Sequence, residues 1–324
     1  MKNSRYLLLL AILVQFAACK KEVTTTGFVE GTVYSANASK TISGANIFIT
    51  AQGVTYRTQT NTQGYFKLEA PTGSHTLNIE TGKGKLFGTT VQVDIHEGQT
   101  LTLTQPQCML HGRGQIAYIP GTYDAIQQII IDSLGYTAVA ISPGSLSSLS
   151  YLQTFDAVFV NCGATDLTDS VAYENLAQFV TDGGSLYVSD YAVSYLIGMH
   201  TGSCSRPLGF IDDATLCSVK SGSVVTLPGT IVAPDFQSFM GTGSMSIYYD
   251  LPQWEIIQSY DATYWEAVVT TSGLPALMLR KSDFTNGTST GNSGNIYYTT
   301  FHNQPNGLIN QDMQHMLEFV ILNL

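Results

Sequence analysis

A chain of 324 residues with 14 basic and 24 acidic side chains carries a formal charge of −10. No segment gathers Lys and Arg into a stripe that could follow a phosphate backbone, which excludes nucleic acid as a partner. With 44% hydrophobic and only 12% charged residues the chain can bury more than one core, and its length suggests two domains.

Lys2 and Arg5 precede an apolar run from Tyr6 to Ala18, broken only by Gln15, and the run ends at Cys19 before Lys20-Lys21-Glu22. A membrane span needs roughly 20 apolar residues, so residues 1–19 read as an export signal. Small residues before Cys19 resemble the lipobox of bacterial lipoproteins. That resemblance implies a lipid on Cys19 that ties the protein to the membrane, placing it in the bacterial cell envelope at the outer membrane, with residues 20–26 as a short tether. An ordinary cleaved signal with an incidental cysteine is the alternative.

Residues 27–105 fall into short alternating runs divided by turn residues: FVEGTVYS, ANIFITA, YRTQTNT, YFKLEA, HTLNIET, TTVQVDI and TLTLT. None is long enough for a helix, and the spacing predicts a small antiparallel β-sandwich. Gly31-Thr32-Val33, Ile42-Ser43-Gly44-Ala45-Asn46-Ile47, Thr60-Asn61-Thr62-Gln63-Gly64-Tyr65-Phe66 and Pro71-Thr72-Gly73-Ser74-His75 together resemble the carboxypeptidase regulatory-like domain. Asn61 stands where that family usually has aspartate, an exchange that a tight turn tolerates. The resemblance implies a spacer or adhesion module without catalysis. His75 and His96 have no Cys or acidic cluster at metal-ligand spacing.

Residues 106–114 read as a linker, and an α/β pattern occupies 115–324. Gln115 to Ile119 is a predicted strand ending at Pro120-Gly121, Tyr123 to Leu134 a helix, and Thr137 to Ile141 a second strand. Ala157 to Val160 leads into Asn161-Cys162-Gly163; the helix Ser170 to Thr181 stops at Gly183-Gly184; Ser185 to Ser189 is the fourth strand. Strands alternating with helices of this length predict a mostly parallel, flavodoxin-like sheet, whose ligands bind at the carboxyl ends of the strands.

Those ends, with the sequence Phe179-Val180-Thr181-Asp182-Gly183-Gly184-Ser185-Leu186 and a late strand Ile296 to Thr300 running into Phe301-His302-Asn303, resemble the class I glutamine amidotransferase-like fold. The resemblance implies a catalytic triad of elbow cysteine, histidine and glutamate. Here Asp190 occupies the nucleophile's place with no flanking glycines for a strained turn, and Gln304 replaces the glutamate beside His302. A neutral amide cannot stabilise an imidazolium by charge. Catalysis is left undecided with the balance against it, and the candidates are His302, Asp190 and Cys162. Cys162 lies one βα unit early and reads as pocket wall, with Gly121, Asn161, Gly163 and Gln304 on the rim.

Cys204 and Cys217 bracket an irregular loop and are expected to pair. Cys108 and Cys162 flank opposite sheet edges, separated by roughly 17 Å, and are not. No cofactor is implied, and no metal: Asp190 and His302 with Asp124 or Asp166 form no tight cluster in sequence. Asp212-Asp213 and Asp166 to Asp169 read as loop carboxylates and helix caps. Trp254, Trp265 and the tyrosines could face sugars, although most should pack. Three functions fit: a non-catalytic binding or scaffolding lipoprotein, which leads; a hydrolase using Asp190 and His302 as an acid/base pair; and a carbohydrate- or peptide-binding surface protein.

Overall fold

The computed structural model describes residues 25–82, 86–198, 217–282, 293–304 and 310–324. Cys19 and Cys204 lie outside them, as do Asp212 and Asp213. Seven strands build the first domain: β1 (Thr26–Thr32), β2 (Asn46–Ala51), β3 (Val54–Gln59), β4 (Tyr65–Pro71), β5 (Gly73–Glu80), β6 (Phe87–Ile95) and β7 (Thr100–Thr102). They correspond to the seven alternating runs of the sequence. Strand β4 gives the reason: side chains alternate across a strand, so Phe66, Leu68 and Ala70 point into the core while Tyr65, Lys67 and Glu69 face water.

One sheet has the order β4-β1-β7 and the other β3-β2-β5-β6, extended at its edge by β8 (His111–Gly112). Pairing is antiparallel except between β1 and β7. Segment 106–114, expected as a linker, therefore completes the sandwich. Strand β8 pairs with β6, Met109 bridges Tyr34, and Cys108 is fully buried against Gly31. A thiol in that core packs as a small apolar group.

The second domain is built on a nine-stranded sheet. Its strands in chain order are β9 (Ile116–Ile119), β10 (Val139–Ala140), β11 (Ala157–Val160) and β12 (Ser185–Ser189). Then come β13 (Cys217–Ser221), β14 (Val225–Ile231), β15 (Ser244–Tyr249), β16 (Trp254–Ser259), β17 (Glu266–Thr271), β18 (Leu274–Lys281) and β19 (Ile296–Thr299). The order is β10-β9-β11-β12-β19-β18-β17-β14-β15, with β13 and β16 forming a separate antiparallel pair. The first five strands are parallel. Counted among themselves they run 2-1-3-4-5, the flavodoxin-like order with its switch point between the first and third. The antiparallel strands β18, β17, β14 and β15 extend one edge, with Asp250 just after β15, while Glu255 comes to the site from β16 of the separate pair.

Both faces of the parallel sheet are covered, so its strands are apolar throughout instead of alternating. In β11, Ala157 and Phe159 join one core, while Val158 and Val160 join another beneath helix Ser170–Thr181. The first core is continuous with that of the sandwich, through helix Gln311–Asn323 and the turn of π-helix at Ile129–Ser133. The helix expected from Tyr123 begins only at Ile126. Tyr123 N donates to Cys162 O at 3.0 Å and Ala125 N to Asn303 O at 2.7 Å, so these residues line the site before the helix can start.

Candidate functional site

Parallel strands of similar register end together, so the loops after β9, β11, β12 and β19 converge at one edge. Close backbone approach between the first two requires glycine. A Cβ at Gly121 would stand 2.2 Å from Cys162 O, and Gly163 has φ +80°, where a Cβ would meet Tyr123 at 2.7 Å. Asn161, fully buried, donates through Nδ2 to Asp124 O and to Gln127 Oε1. These rim residues therefore act as a backbone clasp.

Directly after β12, Asp190 adopts φ +46°, the left-handed region, although it is not glycine. The sequence expectation that no strained turn could form here without flanking glycines is corrected. A short carboxylate tolerates this region better than most side chains, and the surrounding hydrogen bonds hold it there. Glu255 N donates to Asp190 Oδ1 at 2.5 Å, and Cys162 Sγ donates to Oδ2 at 3.3 Å. Tyr298 Oη, at the foot of the site, donates to Glu255 O at 2.9 Å.

His302 lies beside this elbow, with Nδ1 at 3.4 Å from Asp190 Oδ2 and Nε2 at 3.3 Å from Asp250 Oδ1. Both contacts have ion-pair length, yet neither ring nitrogen makes an aligned hydrogen bond. Cys162, Asp190 and His302 present Sγ, a carboxylate oxygen and a ring nitrogen within 4.8 Å of one another, all three buried. All three candidates named from the sequence thus meet at one point.

Electrostatics follow from burial. Desolvation pushes the Cys162 thiol up to about 12 despite the opposing pull of His302, so it is protonated at neutral pH. Burial also raises Asp190 and Asp124. Burial alone would lower His302, but Asp190 and Asp250 on either side outweigh it and raise the imidazole well above its ordinary value. Asp250, partly exposed, is pushed up by burial and held below the usual carboxylate range by His302, with help from Gln304.

Asp250 is thus the carboxylate partner of His302 that the sequence reading found missing when it placed Gln304 in that role. It follows β15, far from the late strand, where no spacing links it to His302. Sequence reasoning weighed Asp124 only as a metal ligand beside Asp190 and His302, and missed Glu255 as a site residue. Asp124 Oδ2 accepts from Ser189 Oγ at 2.5 Å and Oδ1 from Asn303 N at 3.1 Å, while Ser189 Oγ accepts from Cys162 N at 2.9 Å. This network stitches the β9, β11, β12 and β19 ends together and commits Asp124 to structure.

Alongside lies a cavity of about 420 Å³ lined by Asp166, Tyr191, Ser194, Lys220 and Glu255 among others. Lys220 Nζ sits 4.9 Å over the Tyr191 ring. Asp169 caps helix Ser170–Thr181 as expected, accepting from Val171 N at 3.0 Å. Trp254 and Trp265 are both buried, Trp254 stacking on Tyr249 at 4.1 Å, so neither offers a surface for sugars. Cys108 and Cys162 are free thiols, and Cys217 is disulfide-bonded; Cys204, the partner expected for it, lies outside the described residues.

Residues 29–106 match the family model of the carboxypeptidase regulatory-like domain. No curated protein matches the chain. Among solved structures, a protein from Bacteroides uniformis described as ThuA-like shares 10% identity and a TM-score of 0.40 over 64% of this chain and 89% of that one. Another, from Thermoplasma acidophilum and described as a GMP synthase subunit protein, shares 10% identity and a TM-score of 0.42 over 65% of this chain and 94% of that one. At such scores, strand order and register define the fold of the second domain.

Proposed function

We propose that this is a lipid-anchored protein of the bacterial cell envelope in which the sandwich is a spacer. Its α/β domain is an amidotransferase-like module that has lost amidotransferase chemistry and binds a carbohydrate or protein ligand at the carboxyl edge of its sheet. One observation carries the reading: the elbow position holds Asp190, and its two oxygens are already engaged by Glu255 N and Cys162 Sγ. A nucleophile needs a free electron pair aimed at an open site, whereas this carboxylate is fully buried and occupied. Cys162, the neighbouring thiol, donates to that carboxylate and is likewise buried.

The cavity beside the elbow supports binding, because Lys220, Asp166, Tyr191 and Ser194 give it both charges, a ring face and a hydroxyl. The apolar run ending at Cys19 supports the anchor. No helix among the described residues is long and apolar enough to cross a membrane.

Two experiments test this. Incubation with a diazoketone analogue of glutamine, followed by intact-mass measurement, is expected to leave the protein unmodified, and an adduct on Cys162 or Asp190 would defeat the reading. Expression of Cys19→Ala in a bacterial host should move the protein from the membrane fraction to the soluble fraction. Membrane association that survives this change argues against the lipid anchor.

A further inference from the structure

We propose that Cys162, Asp190 and His302 form a binding site for a divalent transition-metal ion of the zinc type, with three protein ligands and one open position. A tetrahedral ion bound at 2.0–2.3 Å holds its ligand atoms about 3.3–3.8 Å apart. Asp190 Oδ2 lies 3.3 Å from Cys162 Sγ and 3.4 Å from His302 Nδ1, and the three donor atoms fall within 4.8 Å of one another. In a cluster held by hydrogen bonds alone every donor would find an aligned acceptor, as Cys162 Sγ does in Asp190 Oδ2. Here both nitrogens of a ring that is 5% exposed lack an aligned partner, although carboxylates stand on both sides.

The outer shell is also in place. A metal-bound imidazole ordinarily gives its second ring N–H to a carboxylate, which fixes its tautomer and orientation. Asp250 Oδ1 occupies that position, 3.3 Å from His302 Nε2, and Glu255 N fixes the other carboxylate oxygen of Asp190. Thiolate, imidazole and carboxylate together suit zinc or cobalt over magnesium or calcium, which prefer oxygen alone. Binding displaces the thiol proton of Cys162 and leaves His302 neutral, with both protons passing to solvent. Three protein ligands leave the fourth position to water or to an electron-donating group of a ligand. The site goes beyond the binding role proposed above and does not depend on it, since neither the anchor nor the lack of glutamine chemistry enters the argument.

Titration of the full chain with Co²⁺, followed by absorption spectroscopy, tests the site. The expected result is saturation at one equivalent, with a thiolate-to-cobalt charge-transfer band in the near ultraviolet and visible bands of a four-coordinate ion. The charge-transfer band should vanish in Cys162→Ser and persist in Cys108→Ser, which removes the other thiol that is free among the described residues. Asp250→Asn should keep the bands and weaken affinity about 10–100-fold, as loss of an outer-shell partner does. Absence of a thiolate band in the unaltered protein overturns the proposal whether or not any variant folds. A band lost in Cys108→Ser and kept in Cys162→Ser overturns it equally.

Discussion

Asp190 shows how one residue can be legible in identity and illegible in geometry. Its position after Ser185–Ser189 marks it as the elbow residue, but the absence of glycine around it argues against the turn that it nonetheless makes at φ +46°. Hydrogen bonding explains the difference, because the buried Glu255 N–H needs an acceptor and Asp190 Oδ1 supplies it. Asparagine keeps an acceptor oxygen and also tolerates the left-handed region, whereas alanine does neither. Chemical denaturation should therefore show Asp190→Ala losing about 2–4 kcal/mol and Asp190→Asn markedly less. Equal midpoints for the two variants would mean that neither the strain nor the Glu255 contact matters. Gly121 and Gly163 were readable as rim residues because they follow strands, but Asp250 was not, because its partner His302 is distant in sequence and close only across the folded sheet.

Among the elements, those with clear periodicity and stop signals were read most faithfully. The helix Ser170–Thr181 and the strands Ala157–Val160 and Ser185–Ser189 appear within the limits expected from sequence. Gly184 fixes the turn between helix and strand, where a Cβ would stand 2.2 Å from the Phe179 ring. The antiparallel strands from β13 to β18 were not anticipated. Strand β14, VTLPGTI, shows why: it contains both Pro228 and Gly229, residues that read as a break in a strand. Gly229 is needed there, since a Cβ would lie 2.9 Å from Val269 on the neighbouring strand β17.

A second element-scale property concerns the helix Gln311–Asn323, which joins the two domains. Its buried Glu318 pairs with Lys40 of the sandwich at 3.1 Å and with His315 Nδ1 at 3.2 Å. Burial pushes Glu318 up, but His315 and Lys40 outweigh it and hold the carboxyl below its ordinary value of 4.5. A carboxyl depressed in the folded state stabilises that state above about pH 4.5, and this contribution is lost as the pH falls through the folded value. Glu318→Gln should cost about 1–3 kcal/mol at neutral pH, measured by denaturant titration, and the deficit should shrink in acid. A deficit that stays constant from pH 7 to about pH 3 would contradict the ion-pair account.

For the whole molecule, the two-domain plan was legible because the texture of the sequence changes from alternating runs to strand-helix units. Their junction was less so. Segment 106–114 looks like a linker in composition, yet Cys108 and β8 belong to the sandwich, and the two cores merge through Ile129, Ile130 and the last helix. The sandwich is therefore packed against the α/β domain, with Ser39 Oγ donating to Ser133 O at 2.8 Å and Lys40 paired to Glu318. The central claim is that this edge keeps the position of an amidotransferase site while Asp190, engaged on both oxygens, has replaced its nucleophile. Ammonia release from glutamine by the purified full chain, alongside His302→Ala, tests it most directly. The account predicts no release above the buffer rate for either protein, and glutamine turnover that disappears in His302→Ala would contradict it.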